Sequence, residues 1–165
     1  TNSLDAINKV IKDNYPGESL ETIFKRFTAC NFRPVQYYSD YSSSSWPSKP
    51  SLKNMWSSYP VSTQNDTVDH LACHYVSFIP PSSTVDKVLK LTVDGEDYIK
   101  WGFKIQRQKR SDNWCDTMEI SMDGTTNRAE VFLYMFGKTY KEICLIPANL
   151  ERSGSATYSY SANIQ

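Results

Sequence analysis

Histidine is nearly absent from this 165-residue chain: His70 and His74 are the only two. Any Ser-His-Asp or Cys-His mechanism must therefore recruit one of them. Glycine is scarce as well, six residues in all and scattered. That leaves no phosphate-cradling loop, no GxSxG nucleophile elbow and no dinucleotide fingerprint. An excess of charge is missing too, because eighteen Lys and Arg balance eighteen Asp and Glu. A formal charge of zero gives no global field to draw the chain onto nucleic acid or an anionic membrane. No apolar run approaches the roughly 20 residues that a membrane helix needs.

Four cysteines are present, Cys30, Cys73, Cys115 and Cys144, and no CxxC pair joins any of them. That spacing argues against a zinc ribbon or a thioredoxin motif. An even number of scattered cysteines suits disulfides in an oxidising compartment, with four buried free thiols as the rival reading. Four cysteines permit three connectivities. Placement in the expected elements favours Cys115–Cys144, which leaves Cys30–Cys73 to tie helix to sheet. Loops of this length would contribute roughly 3–4 kcal/mol each on the chain-entropy model. The chain starts at Thr1 without an initiator Met or an apolar leader. A mature chain is expected, with any signal peptide or lipid attachment point lying before that residue.

What is present is ordinary globular composition, 39% hydrophobic and 22% charged, enough for one domain with a real core. Residues 1–30 read as helical. In SLDAINKVIKDNY, Leu4, Ile7, Val10 and Ile11 recur at helical spacing, and Pro16-Gly17 ends the run. ESLETIFKRF repeats the pattern with Leu20, Ile23, Phe24 and Phe27, and Ser19 is the expected N-cap. Residues 31–67 lose periodicity and form an aromatic, Ser-rich loop region.

Residues 68–147 alternate as antiparallel sheet. HLACHYVSF is one expected strand, and KVLKLTV points Leu89, Leu91 and Val93 to one face. DGED then signals a hairpin into YIKWGFKIQRQ, where Ile99, Trp101, Phe103 and Ile105 face in and Lys100, Lys104 and Gln106 face out. RSDN turns the chain into DTMEISM, with Met118, Ile120 and Met122 buried. A second DG, at Asp123-Gly124, turns it into AEVFLYMF. That run is apolar on both faces, and its β-branched and aromatic content favours a central strand over a buried helix. KEICLIP supplies a last strand, and residues 148–165 read as a loose tail. The predicted fold is α+β: two N-terminal helices packed on an antiparallel meander of about five strands.

DHLACHY, residues 69–75, gathers both histidines and Cys73. As a strand it puts His70 and His74 on one face, with Asp69 and Cys73 on the other. Two ligands fall short of the three or four that zinc requires, and the Glu of a helical HExxH motif is missing. No metal and no cofactor is expected. The basic run KIQRQKR, residues 104–110, follows Trp101 and Phe103, but alternation sends aromatics and lysines to opposite faces, which disfavours single-strand nucleic-acid binding. Asn65-Asp66-Thr67 is a glycosylation sequon only in a eukaryotic secretory setting.

The binding candidate is the set Tyr37, Tyr38, Tyr41, Trp46, Trp56 and Tyr59, spaced by serines. Tyr and Trp give large contact area at small entropy cost, and Ser adds adaptable hydrogen bonds. The competing reading is a loop folded back as a lid on the core. Two further functions are carried alongside: a hydrolase using carboxylates such as Glu96, Asp97 and Glu119, and a ligand carrier lined by Trp101, Phe103, Phe132 and Tyr134.

The order YPGESLETIFKRF, an aromatic linker, and strands ending in TMEISMDG resembles small exported bacterial domains often found as lipoproteins of unknown function. That resemblance implies a short helix after a Tyr-Pro turn packed on an antiparallel sheet, and it carries over no functional residue. The long Tyr/Ser/Trp insertion and the four cysteines depart from it. Together these readings predict a periplasmic or extracellular, disulfide-bonded, non-catalytic protein. Its partner is another protein, as for an inhibitor, immunity protein or assembly factor, engaged through the aromatic loop and a sheet edge.

Overall fold

The computed structural model describes residues 3–32, 51–122 and 125–165, the side chains of 30–32 excepted. Two helices, α1 (Ser3–Asn14) and α2 (Leu20–Phe32), precede ten strands. These are β1 (Asn54–Trp56), β2 (Val61–Asp69), β3 (Ala72–Cys73), β4 (Val76–Phe78) and β5 (Lys87–Gly95). They continue as β6 (Trp101–Lys109), β7 (Cys115–Ile120), β8 (Asn127–Phe136), β9 (Tyr140–Asn149) and β10 (Ser155–Ile164). The strands join in one nearly closed, barrel-like sheet.

That sheet corrects the expected five-strand meander. One leaf runs β2-β10-β5-β8, all antiparallel neighbours. The other runs β1-β4-β9-β6-β7, with β3 also on β9. A single bridge, Phe136 to Tyr140, joins the leaves. Leu89, Leu91 and Val93 from one leaf and Phe103, Ile105, Ile143 and Leu145 from the other share one core.

The meander fails at its turns. DGED does not close a hairpin, because β5 pairs with β8 and β10 while β6 pairs with β7 and β9. The chain crosses there from leaf to leaf. Gly95 permits the crossing: a Cβ at this position would lie 2.5 Å from Trp101 Nε1, whose N–H donates to the Glu96 carbonyl at 3.2 Å. Tyr98 completes the turn at φ 61°. Strands β7 and β8 likewise belong to different leaves, so the second DG also lies in a crossover; residues 123–124 themselves are not described. Of the expected turns, RSDN does make a hairpin, with Asn113 left-handed at φ 63°.

The tail is the second correction. Residues 155–164 form β10, inserted between β2 and β5 in the middle of a leaf. Ala156, Tyr158, Tyr160 and Ala162 alternate inward from it, and all four are buried. HLACHYVSF is not one strand either. Leu71 turns the chain at φ 48° between β2 and β3, and a break at His74-Tyr75 separates β3 from β4. Met118, expected inside, is exposed on β7, while Ile120 is buried.

Both helices form as expected, and Ser19 Oγ accepts from Thr22 N at 3.1 Å as an N-cap. The one buried residue of α1 is polar: Asn8 Oδ1 accepts from Leu20 N at 2.8 Å and so adds a second cap to α2. Helix α2 lies on the outer face of the second leaf, where Ala29 packs with Tyr75, Cys144 and Ile146. The Tyr75 hydroxyl donates to Thr28 O at 2.8 Å, and Gln106 Nε2 to Ala29 O at 3.2 Å. Gln106 does point away from the main core, yet α2 buries it. Strand β9 is consequently covered on both faces, which explains its unbroken apolar run from Ile143 to Ala148.

Candidate functional site

Among the described residues no backbone pairing joins β1 of the second leaf to β2 of the first. Side chains bridge the gap. Tyr158, pointing inward from β10 opposite Asp66 of β2, brings its hydroxyl within 2.9 Å of His74 Nδ1. Asp66 Oδ2 lies 3.6 Å from that same nitrogen and 2.8 Å from Lys53 Nζ, just ahead of β1. One turn along, the Tyr160 hydroxyl accepts from Asn54 Nδ2 at 2.9 Å and from Trp56 Nε1 at 3.0 Å. Polar side chains here do the work that a strand ladder does elsewhere.

The protonation states follow from the packing. Burial lowers the pKa of His74, Lys53 lowers it further, and Asp66 with Asp69 opposes them. The ring is therefore held toward its neutral form. Burial works to raise Asp66, but the hydrogen bonds from Lys53 and Thr67 N outweigh it, so this carboxylate ionises below its ordinary value. Burial raises the Tyr158 and Tyr160 hydroxyls above the ordinary tyrosine value. Burial also pushes the Cys73 thiol up to about 11. A thiol that high is a poor nucleophile near neutral pH.

The structure separates the DHLACHY residues. His70 is exposed in the turn after β2, whereas His74 sits in the seam. Among the described residues, no group of three or more His, Cys, Asp and Glu side chains is placed to hold a metal.

The expected disulfides are not formed. Cys73, Cys115 and Cys144 are free thiols. Cys115 pairs with Gln108 and Cys144 with Gln106, so β6 runs between their strands. Two strand spacings amount to about 9.6 Å, beyond the 4.4–6.8 Å Cα separation of a disulfide. Cys73 stands unlinked on β3, and the side chain of Cys30 is outside the described residues.

Of the aromatic binding candidates, Tyr37, Tyr38, Tyr41 and Trp46 lie outside the described residues. Trp56 and Tyr59 are partly buried and pack against the core. The Tyr59 ring meets Phe136 edge-on at 6.2 Å, and its hydroxyl donates to Ile79 O at 2.9 Å. These two side chains act as the lid.

Of the carboxylates of the hydrolase reading, Glu96 and Asp97 line one open groove together with Asp94, while Glu119 lies apart on β7. Glu96 Oε2 accepts from Thr157 N at 3.0 Å, and Glu119 pairs with Lys25 of α2. The carrier pocket does not assemble: Trp101 and Phe103 lie in the core, whereas Phe132 and Tyr134 are exposed.

Two surface features remain: the sequence led to a sheet edge without saying which strand supplies it, and it gave no sign of the second. Strand β8 pairs with β5 along one edge and meets β9 only at Phe136. Near its end the register slips, Met135 adopts φ 62°, and Tyr134 and Met135 stand 61% and 55% exposed. Shallow grooves also run over the outer face of β2, β10 and β5, their lining including Asn65, Thr92 and Ser159 beside the charged Asp94, Glu96, Asp97 and Arg128.

No family model matches the chain, and no curated protein matches it. Among solved structures it is similar to the pre-peptidase C-terminal domain of a collagenase from Bacillus anthracis. The match covers 72% of this chain and 100% of that domain at 12% identity, with a TM-score of 0.46. A likeness of this degree transfers neither fold nor role.

Proposed function

We propose that the chain is a non-catalytic binding module that docks another protein against the open edge of β8. The observation that carries this reading is the exposed pair Tyr134 and Met135 at the bulged end of a ten-residue strand. An unpaired edge offers backbone N–H and C=O groups to an extended segment, and a neighbouring aromatic supplies an anchor. Inhibitors, immunity proteins and envelope assembly factors act by such occlusion, without chemistry of their own. An exported location belongs to the same proposal. It rests on the Tyr/Ser-rich composition alone, since the described cysteines are unlinked.

The test is a comparison of captured proteins from the source organism's envelope fraction. The wild-type chain should retain a partner that Tyr134→Lys/Met135→Lys loses. Both side chains are exposed, so the variant should unfold at the same urea concentration as wild type. A partner retained equally by the two proteins sinks the reading. Trp46→Ala, run beside it, reports whether the aromatic segment shares in the contact.

A further inference from the structure

The outer face of β2, β10 and β5 has an organisation that solvation alone does not demand. Register aligns its side chains in rows across the strands: Asn65 with Ser159, Ser159 with Asp94, and Asp94 with Arg128. A second row runs Ser161, Thr92, Glu130, and Thr63 lines the same groove. The central positions carry short hydroxyls and amides rather than the long Lys and Glu side chains common on open sheets. None of Thr63, Asn65, Thr92, Ser159 and Ser161 makes a side-chain hydrogen bond within the described chain. Their groups lie open on the groove floor.

The cations flanking the rows are each paired with a carboxylate, and Glu96 and Asp97 add further negative charge at one end of the groove. Lys90 Nζ is 2.8 Å from Glu130 Oε2, and Arg128 Nη1 is 3.8 Å from Asp94 Oδ2. A polyanion therefore finds no unpaired cation in the rows, and the nearest exposed apolar side chain, Phe132, lies outside them on β8 under Lys90. A neutral ligand with many hydroxyls fits both conditions. Neighbouring strands stand about 4.8 Å apart. That spacing is close to the advance of one sugar in an extended β-linked chain, so a glycan lying across the strands meets one polar side chain per sugar.

We propose that the outer face of β2, β10 and β5 binds an extended, neutral, β-linked polysaccharide across its strands. Asn65, Ser159 and Asp94 form one row of contacts, and Ser161 and Thr92 the other. Many weak, exchangeable hydrogen bonds to a rigid linear polymer give modest affinity per sugar, raised by repetition along the chain. The surface is distinct from the β8 edge, and neither reading requires the other.

Native affinity electrophoresis tests it, with soluble β-glucan, xylan, mannan and a polyuronate cast separately in the gel. The protein should be retarded by at least one neutral β-linked polymer and not by the polyuronate. Thr92→Ala/Ser159→Ala should weaken that retardation at least tenfold, and Asn65→Ala, on the edge strand, should weaken it separately. Tyr134→Lys/Met135→Lys should be retarded like wild type, which keeps failure here apart from failure of protein docking. Mobility unchanged in every neutral polymer overturns the proposal. So does a double variant retarded like wild type, or retardation by the polyuronate alone.

Discussion

His74 Nδ1 lies 2.9 Å from the hydroxyl of Tyr158, across a gap in the barrel that no backbone ladder of the described residues spans. Each ring is buried enough to disfavour its charged form. Lys53 and Asp66 complete the contact with an ion pair at 2.8 Å. The seam is thus built for a neutral imidazole, and its stability depends on that state.

Acidification should loosen it in two steps. His74 has a folded pKa below its ordinary 6.5, so the unfolded chain takes up this proton first. Stability from this group is present above about 6.5 and is lost as pH falls toward the folded value. Asp66, with a folded pKa below 3.8, holds its contribution above that pH and loses it on further acidification. Urea midpoints measured from pH 7 to pH 5 should fall for wild type and fall less for His74→Gln. Superimposable profiles would remove His74 from the account.

Tyr160 bears the second half of the seam. Tyr160→Phe keeps the ring in the core but leaves the N–H groups of Asn54 and Trp56 without their acceptor. The expected cost is about 1–3 kcal/mol, the penalty for stranding buried donors. Equilibrium urea unfolding reads it directly. A loss below a few tenths would mean that water replaces the hydroxyl.

Thiol chemistry gives the clearest answer about the cysteines. With Cys73, Cys115 and Cys144 unlinked, denatured protein prepared without reductant should titrate at least three thiols. Two or fewer would restore a disulfide that strand order forbids between Cys115 and Cys144. In the folded protein Cys73 should react slowly near neutral pH, because burial holds its pKa at about 11.

The fold was legible in the sequence where a periodic pattern had one physical cause. The helical spacing of Leu20, Ile23 and Phe24 and the cap at Ser19 led to α2. The alternation of Leu89, Leu91 and Val93 led to β5. Topology was not legible, because period-two alternation on both sides of a DG reads the same for a hairpin and for a crossover between leaves. Strand β2 gave no signal, since Val61 and Val68 are its only apolar residues. In β10 the signal was there: Ala156, Tyr158, Tyr160, Ala162 and Ile164 alternate strictly, but the intervening serines resemble a flexible tail. The seam joins four separate stretches of chain, so no local pattern announces it. The polar rows of the outer face likewise exist only through register.

Truncation settles whether the C-terminal residues are tail or centre. A loose tail can be removed without loss of the fold. Strand β10 instead hydrogen-bonds to β2 on one side and β5 on the other. It also contributes Tyr158 and Tyr160, which pack on Trp101, Phe103 and Phe78. Removing residues 155–165 would strip β2 of its only ladder partner among the described residues, open the core along β5 and release His74, Asn54 and Trp56 from the seam. The shortened chain should show no cooperative urea transition and should lose the near-ultraviolet circular dichroism of packed aromatics. A truncated protein that unfolds at the wild-type midpoint would show that the sheet stands without its central strand. The interleaving of residues 155–164 between two other strands leaves no physical route to that outcome.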